Sequence, residues 1–288
     1  MKQRVITAFA LLALLIVVVW QIYTPFFTVV IAAFAAIAAD EIMKCAKISN
    51  KFITIFGTVF AFFVPFFMNA SSLEPLVKTD EWFLVINAVP RVIYIAVFVI
   101  ACFLAMLKAY SHTKFEDVAI AIVASIIVPW CFSILVMLRD ITGYKTQFGI
   151  YLIFYALISA LVTDIGAQLG GMKFGKTKMS PNISPKKTVE GACCGIILGF
   201  VANCAALLLY DRFAQTPVPK NYTAILLGVS PFVQFLGMMG DLTASVLKRN
   251  FGVKDFGKIF PGHGGVMDRF DSLMFTLVCT YGVAITLL

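Results

Sequence analysis

Asp241 to Asp271, DLTASVLKRNFGVKDFGKIFPGHGGVMDRFD, is a polar stretch set between two long apolar ones. It holds four aspartates, six basic side chains counting His263, and five glycines. Carboxylates beside lysines and arginines suit two tasks, holding a divalent cation through oxygen and gripping phosphate. Asp241, Ser245 and Lys248 stand at i, i+4 and i+7. If the preceding apolar segment continues as a helix, a carboxylate, a hydroxyl and an ammonium share one face. Asp268 and Asp271, three apart at the start of the next apolar segment, would also share a face near the positive end of that helix. Asp271 reads equally well as a ligand and as a helix cap. Between these acids, Pro261, Gly262, His263, Gly264 and Gly265 allow backbone with positive φ, either to present N–H groups to phosphate or as an ordinary tight turn.

A second polar stretch, Asp164 to Glu190, contains the literal pattern Gly170-x4-Gly175-Lys176-Thr177. A phosphate-binding loop of that pattern needs a β-strand before it and a helix N-terminus after it. Here an apolar span precedes it, and Pro181 and Pro185 oppose a long helix directly after it. The nucleotide-loop reading is rejected, although its lysines and hydroxyls suit phosphate in another setting.

Ser245 to Asp271 resembles, position by position, the signature S-x-x-K-R-x4-K-D-x-G-x2-F-P-x-H-G-G-x-x-D-R-x-D of phosphatidate cytidylyltransferases, the CDP-diacylglycerol synthases. The Asp164 stretch resembles a looser pattern of that family, through Gly166 and Ala167, Phe174 to Lys176, and Ser184 to Gly191. Gln168 and Val189 depart from the aromatic residues usual there. The resemblance implies that a phosphate oxygen of phosphatidate attacks the α-phosphorus of CTP and pyrophosphate leaves. It implies Mg²⁺, with room for a second cation, on Asp241 and Asp268 first and on Asp271 and Asp164 besides. Asp241, Asp268, Lys248 and Arg249 would be catalytic. Lys176, Ser184, Lys187, Thr188, Ser245, Lys254, His263 and Arg269 would bind substrate. Within the full signature the Pro261 to Gly265 turn reads as a phosphate-facing loop.

The elements that must position these groups are membrane helices. The chain is 61% hydrophobic and 13% charged, with a mean hydropathy of +0.94, outside the range of soluble domains. The sequence predicts an all-α polytopic membrane protein of about nine spans. These are Val5–Trp20, Phe26–Ala39, Phe52–Met68, Trp82–Leu107, Val118–Leu138, Phe148–Thr163, Gly191–Tyr210, Tyr222–Met239 and Phe270–Leu288. The first lacks a small-residue cleavage site and reads as an uncleaved span. The second is short enough to be re-entrant. One membrane domain is expected, with N-terminal spans in 1–147 and the catalytic spans and loops in 148–288. With the N-terminus cytoplasmic, seventeen of the 23 Lys and Arg fall on cytoplasmic segments and five on outer ones, with Arg91 left in a span. Both polar stretches then face the cytoplasm from the cytoplasmic membrane, and the C-terminus lies outside.

The net charge of +8 suits a phosphate-binding face beside anionic lipid, and no nucleic-acid motif accompanies it. The seven cysteines show no metal-ligand spacing and read as small packing residues. Gly191, Gly195 and Gly199 form a stripe for close helix packing. The resemblance implies CTP and phosphatidate as partners, the hydropathy implies the bilayer, and a homodimer is compatible with the sequence. Of the alternatives, a CTP-dependent lipid-alcohol kinase shares the composition. A transporter should show repeated halves, and none is present. The aspartate motif of CDP-alcohol phosphatidyltransferases is absent too.

Overall fold

The computed structural model describes residues 13, 16–68, 89–141, 147–214, 218, 220–262 and 264–287, without the side chains of 220 and 221. Among the described residues, eight helices are long and apolar enough to cross a membrane. They are α1 (Pro25–Cys45), α2 (Lys51–Met68), α3 (Arg91–Lys108), α4 (Phe115–Arg139), α5 (Gln147–Phe174), α6 (Val189–Phe213), α7 (Lys220–Asn250) and α8 (Met267–Leu287). The first expected span lies mostly outside the described residues, of which 16–20 are helical. An antiparallel hairpin of β1 (Lys178–Ser180) and β2 (Ser184–Thr188) joins α5 to α6. The all-α membrane class is thus observed. Helices satisfy their own backbone polar groups, which lipid requires, and their outer faces keep large apolar side chains such as Phe52, Ile55, Val97 and Leu104 exposed.

The chain forms two compact units, residues 1–137 with 255–268, and residues 138–254 with 269–288. The second half of the signature, residues 255–268, joins the first unit. In that unit α1 packs through small residues, Ala32, Ala35, Ala38 and Ala39 all being fully buried. Gly57 of α2 leaves room for Ser125 of α4 and Met43 of α1, since a Cβ there would stand 2.6 Å from Ser125 Oγ. Aromatic rings join α2 to α3, Phe60 stacking on Phe98 at 4.3 Å and Phe67 on Tyr94 at 4.5 Å. Arg91 is exposed and starts α3 directly after Pro90, so it stands at a helix end.

In the second unit α5 and α6 touch backbone to backbone. A Cβ on Gly191 would lie 2.6 Å from the Ala167 carbonyl, and one on Gly195 2.6 Å from that of Thr163. The glycine stripe is a packing surface. A buried polar seam fixes the neighbouring helices: Asn203 Nδ2 donates to Ser159 Oγ at 2.8 Å and to Ser230 Oγ at 2.9 Å, and Gln234 Nε2 donates to Ser230 Oγ at 2.9 Å. Tyr155 Oη donates to the Leu226 carbonyl at 2.7 Å, and Thr276 Oγ1 to that of Ala156 at 3.1 Å. Side-chain hydrogen bonds of this kind bind helices where lipid supplies no hydrophobic drive.

Four helices run beyond their expected ends. The short second span is a 21-residue helix, long enough to cross, because α1 continues through Asp40, Glu41 and Lys44. Asp40 and Lys44 pair at 2.6 Å one turn apart. The sixth span continues past Asp164 to Phe174, the eighth past Asp241 to Asn250, and the ninth begins at Met267. The seven cysteines are free, as expected, but Cys193 is exposed and so is no packing residue.

Candidate active site

The site is built first on the second unit, where three helices each bring one aspartate. Asp164 lies within α5, half-buried, and its Oδ2 accepts a 3.0 Å hydrogen bond from Ser272 Oγ of α8. It is no solvated helix end. Asp241 lies within α7 and pairs through Oδ2 with Lys187 Nζ of β2 at 2.5 Å. The Nζ itself is shut off from solvent, and the contact is an ion pair rather than a directed hydrogen bond. Asp271 is 8% exposed and lies inside α8, beyond its start at Met267, so it does not cap that helix. Its Oδ1 accepts from the Ser272 N–H at 2.8 Å. The Asp241 carboxylate repels both Asp164 and Asp271, Lys187 attracts Asp164, and Lys248 attracts Asp271.

The helical continuation of α7 makes the expected face real: Asp241, Ser245 and Lys248 follow one another along it. The helix ends in a left-handed Gly252, with φ of 68°, and the Val253 N–H reaches back to the Lys248 carbonyl at 2.9 Å. Arg249 and Lys254 are exposed at this end, and Arg269 is exposed on the first turn of α8.

The Lys176 stretch folds as a hairpin, not as a nucleotide loop. It leaves a helix and enters a strand, and Pro181 opens a turn closed by the Ile183 N–H on the Ser180 carbonyl at 3.3 Å. The Lys176 and Thr177 N–H groups, which such a loop would offer to phosphate, donate to the Glu190 carboxylate at 3.0 Å each. The Lys176 side chain is exposed, and Ser184 is half-buried on β2. Thr188 is buried, and its Oγ1 caps α6 by accepting from the Gly191 N–H at 3.2 Å. The family-like run from Thr188 to Gly191 is therefore a helix start, a carboxylate clamp and a close contact.

Asp268 belongs to the other unit, where residues 255–268 fold round two carboxylates. Asp268 Oδ2 accepts from Phe256 N–H at 2.8 Å and from Gly265 N–H at 3.0 Å. Glu41 of α1 is buried, accepting from Val266 N–H at 3.1 Å on Oε1 and from Met267 N–H at 2.9 Å on Oε2. Between them the chain turns on two left-handed glycines, Gly262 and Gly264, closed by the Phe260 N–H on the Gly264 carbonyl at 3.0 Å. The N–H groups of Gly265, Val266 and Met267 thus face carboxylates of this unit, leaving none of those three for a phosphate. His263 lies outside the described residues. Sequence reasoning missed Glu41; its one visible signal is that it is one of two acids, Asp40 and Glu41, that follow directly on an apolar span.

Among the described residues, no three His, Cys, Asp or Glu side chains form a ready-made metal site. The three aspartates of the second unit are nevertheless oxygen donors of the kind Mg²⁺ takes, and they repel one another in spite of Lys187 and Lys248. The donor chemistry fits the ion, and Asp241 is paired with the Lys187 ammonium.

Comparison with known proteins decides the family. The Cytidylyltransferase family matches residues 2–287, almost the whole chain. The chain belongs to the cytidylyltransferase family. It is 33% identical over 284 residues to the phosphatidate cytidylyltransferase of Bacillus subtilis (strain 168), covering 98% of this chain and 96% of the relative. It is 28% identical over 281 residues to that of Haemophilus influenzae, covering 95% and 94%. The protein of that name from Staphylococcus aureus (strain COL) is 44% identical over 135 residues, 46% of this chain and 49% of the relative.

Proposed function

We propose that this cytidylyltransferase joins CTP to phosphatidate, giving CDP-diacylglycerol and pyrophosphate. A phosphate oxygen of the lipid forms the new bond to the α-phosphorus, the bond from that phosphorus to the β-phosphate bridge breaks, and pyrophosphate leaves with the electron pair. The lipid phosphate is largely ionised near neutrality, its second pKa being about 6, so no strong general base is required. Catalysis is then positioning and electrostatics.

The carrying observation is the meeting of Asp164, Asp241 and Asp271 with Lys187 and Lys248 in one unit of a cytidylyltransferase. Asp241, Asp164 and Asp271 would hold Mg²⁺, which offsets phosphate charge when bound. The Lys187 ammonium, beside Asp241, would meet a substrate phosphate. Lys248, Arg249, Lys254, Arg269 and Lys176 supply further positive charge. Asp268 serves the reaction by folding the 255–268 segment through its two backbone contacts. The excess of Lys and Arg on one set of loops supports a cytoplasmic active site.

Purified protein given CTP, phosphatidate and Mg²⁺ is expected to release pyrophosphate and CDP-lipid in equal amounts. CDP appearing with a phosphorylated lipid alcohol, when that acceptor is supplied, would establish the kinase instead. Removing divalent ions with a chelator should stop turnover, and added Mg²⁺ should restore it.

A further inference from the structure

Glu41 is 5% exposed, and among the described residues no Lys, Arg or His lies within ion-pairing distance of it. A buried carboxylate without a countercharge is strongly unfavourable unless hydrogen bonds satisfy it. Its two oxygens are met by the N–H groups of Val266 and Met267, where α8 begins, and a helix start is a favourable place for negative charge. The segment also closes round the carboxylate at two further points. A Cβ on Gly257 or on Gly265 would collide with it, although neither glycine has positive φ. These two positions lack a side chain because Glu41 occupies the space. Asp268, next after Met267, holds Phe256 and Gly265 by their N–H groups, so both carboxylates act on one short stretch.

We infer that Glu41 is a positioning residue for the cytidylyl transfer: its carboxylate is the post on which Gly257 and Gly265 to Met267 are ordered. It touches no substrate and acts through the backbone that leads on to Arg269, one of the groups proposed to meet substrate phosphate. This role rests on the reading that the protein turns over CTP and phosphatidate, whereas the ordering itself does not.

The test combines hydrogen exchange with a steric cycle on the full-length protein in detergent. Glu41→Ala should lose exchange protection in 255–268 while the other helices stay protected. Its KM for CTP should rise by about tenfold or more, in line with loss of a supporting contact behind a ligand-binding group. Glu41→Gln keeps one carbonyl acceptor and should fall between the two. Gly257→Ala and Gly265→Ala should each damage the wild-type protein, yet add little when introduced into Glu41→Ala, because the colliding group is gone. The inference is overturned if Glu41→Ala leaves the segment protected, if protection falls uniformly across all helices, or if the glycine variants are as harmful without Glu41 as with it. A loosened segment with unchanged KM and kcat overturns the positioning role, while absence of CDP-lipid from the wild type overturns the functional reading alone.

Discussion

Asp241 faces two demands, since it sits against Lys187 and yet repels Asp164 and Asp271. Replacing it by Asn keeps its shape and removes one charge from a crowded set. Asp241→Asn is expected to lower kcat about a hundredfold or more, the effect of losing one electrostatic stabiliser of a transition state. Thermal unfolding of the metal-free protein should shift little, because relief of the repulsion from Asp164 and Asp271 is set against the loss of the Lys187 ion pair. Combining Asp241→Asn with Asp271→Asn should lose far less than the product of the two single losses, as groups acting on one ion do. Near-wild-type turnover of Asp241→Asn at saturating substrate would remove it from the ion's ligands. The aspartates were legible in the sequence because an acid beside an apolar run needs a reason. Glu41 was not, since Asp40, Glu41 and Lys44 together look like a loop until Val266 and Met267 supply partners over two hundred residues away in sequence.

At the scale of elements, the centres of the helices were readable from hydropathy and their ends were not. Charge marked the expected ends at Ala39, Thr163 and Met239, yet each helix continues because partners, local for Asp40 and tertiary for the other two, satisfy the charged residues beyond. Asp40 finds Lys44, Asp164 finds Ser272, and Asp241 finds Lys187. The hairpin was hidden for the opposite reason, being two short strands with prolines in a stretch whose local pattern speaks only against a helix. The glycines of α6 make a direct prediction. Gly195→Ala should lower the melting temperature by several degrees, since its Cβ would press on the Thr163 carbonyl. Gly228→Ala in α7, with nothing within 4 Å of the added carbon, should hold or raise it. In the hairpin, Lys176→Ala should raise the KM for CTP without changing the melting temperature, because the Lys176 backbone stays clamped by Glu190. An unchanged KM would take Lys176 out of the substrate site.

At the scale of the whole chain, the charge bias predicts an orientation that unit 2 can report through a single helix. Lys178 pairs across the hairpin with Thr188, the cap of α6, and Arg212 lies near the far end of that helix, about 35 Å from its start at 1.5 Å per residue. In a background without native cysteines, a cysteine at Lys178 should be shielded from an impermeant thiol reagent in intact cells, and one at Arg212 should react. The reverse pattern would put the site outside and sink the proposed use of intracellular CTP. The path of the chain carries a different consequence, one for its birth. The acceptor oxygens of Glu41 are made first, and their donors at Val266 and Met267 emerge 225 and 226 residues later. At about 5 to 20 residues per second, the ribosome leaves Glu41 waiting roughly 10 to 45 s. For that interval the acid has only water or a bound proton to satisfy it. The end of α1 therefore gains these two donors only after the start of α8 has been translated, and a chain stalled before that point lacks them.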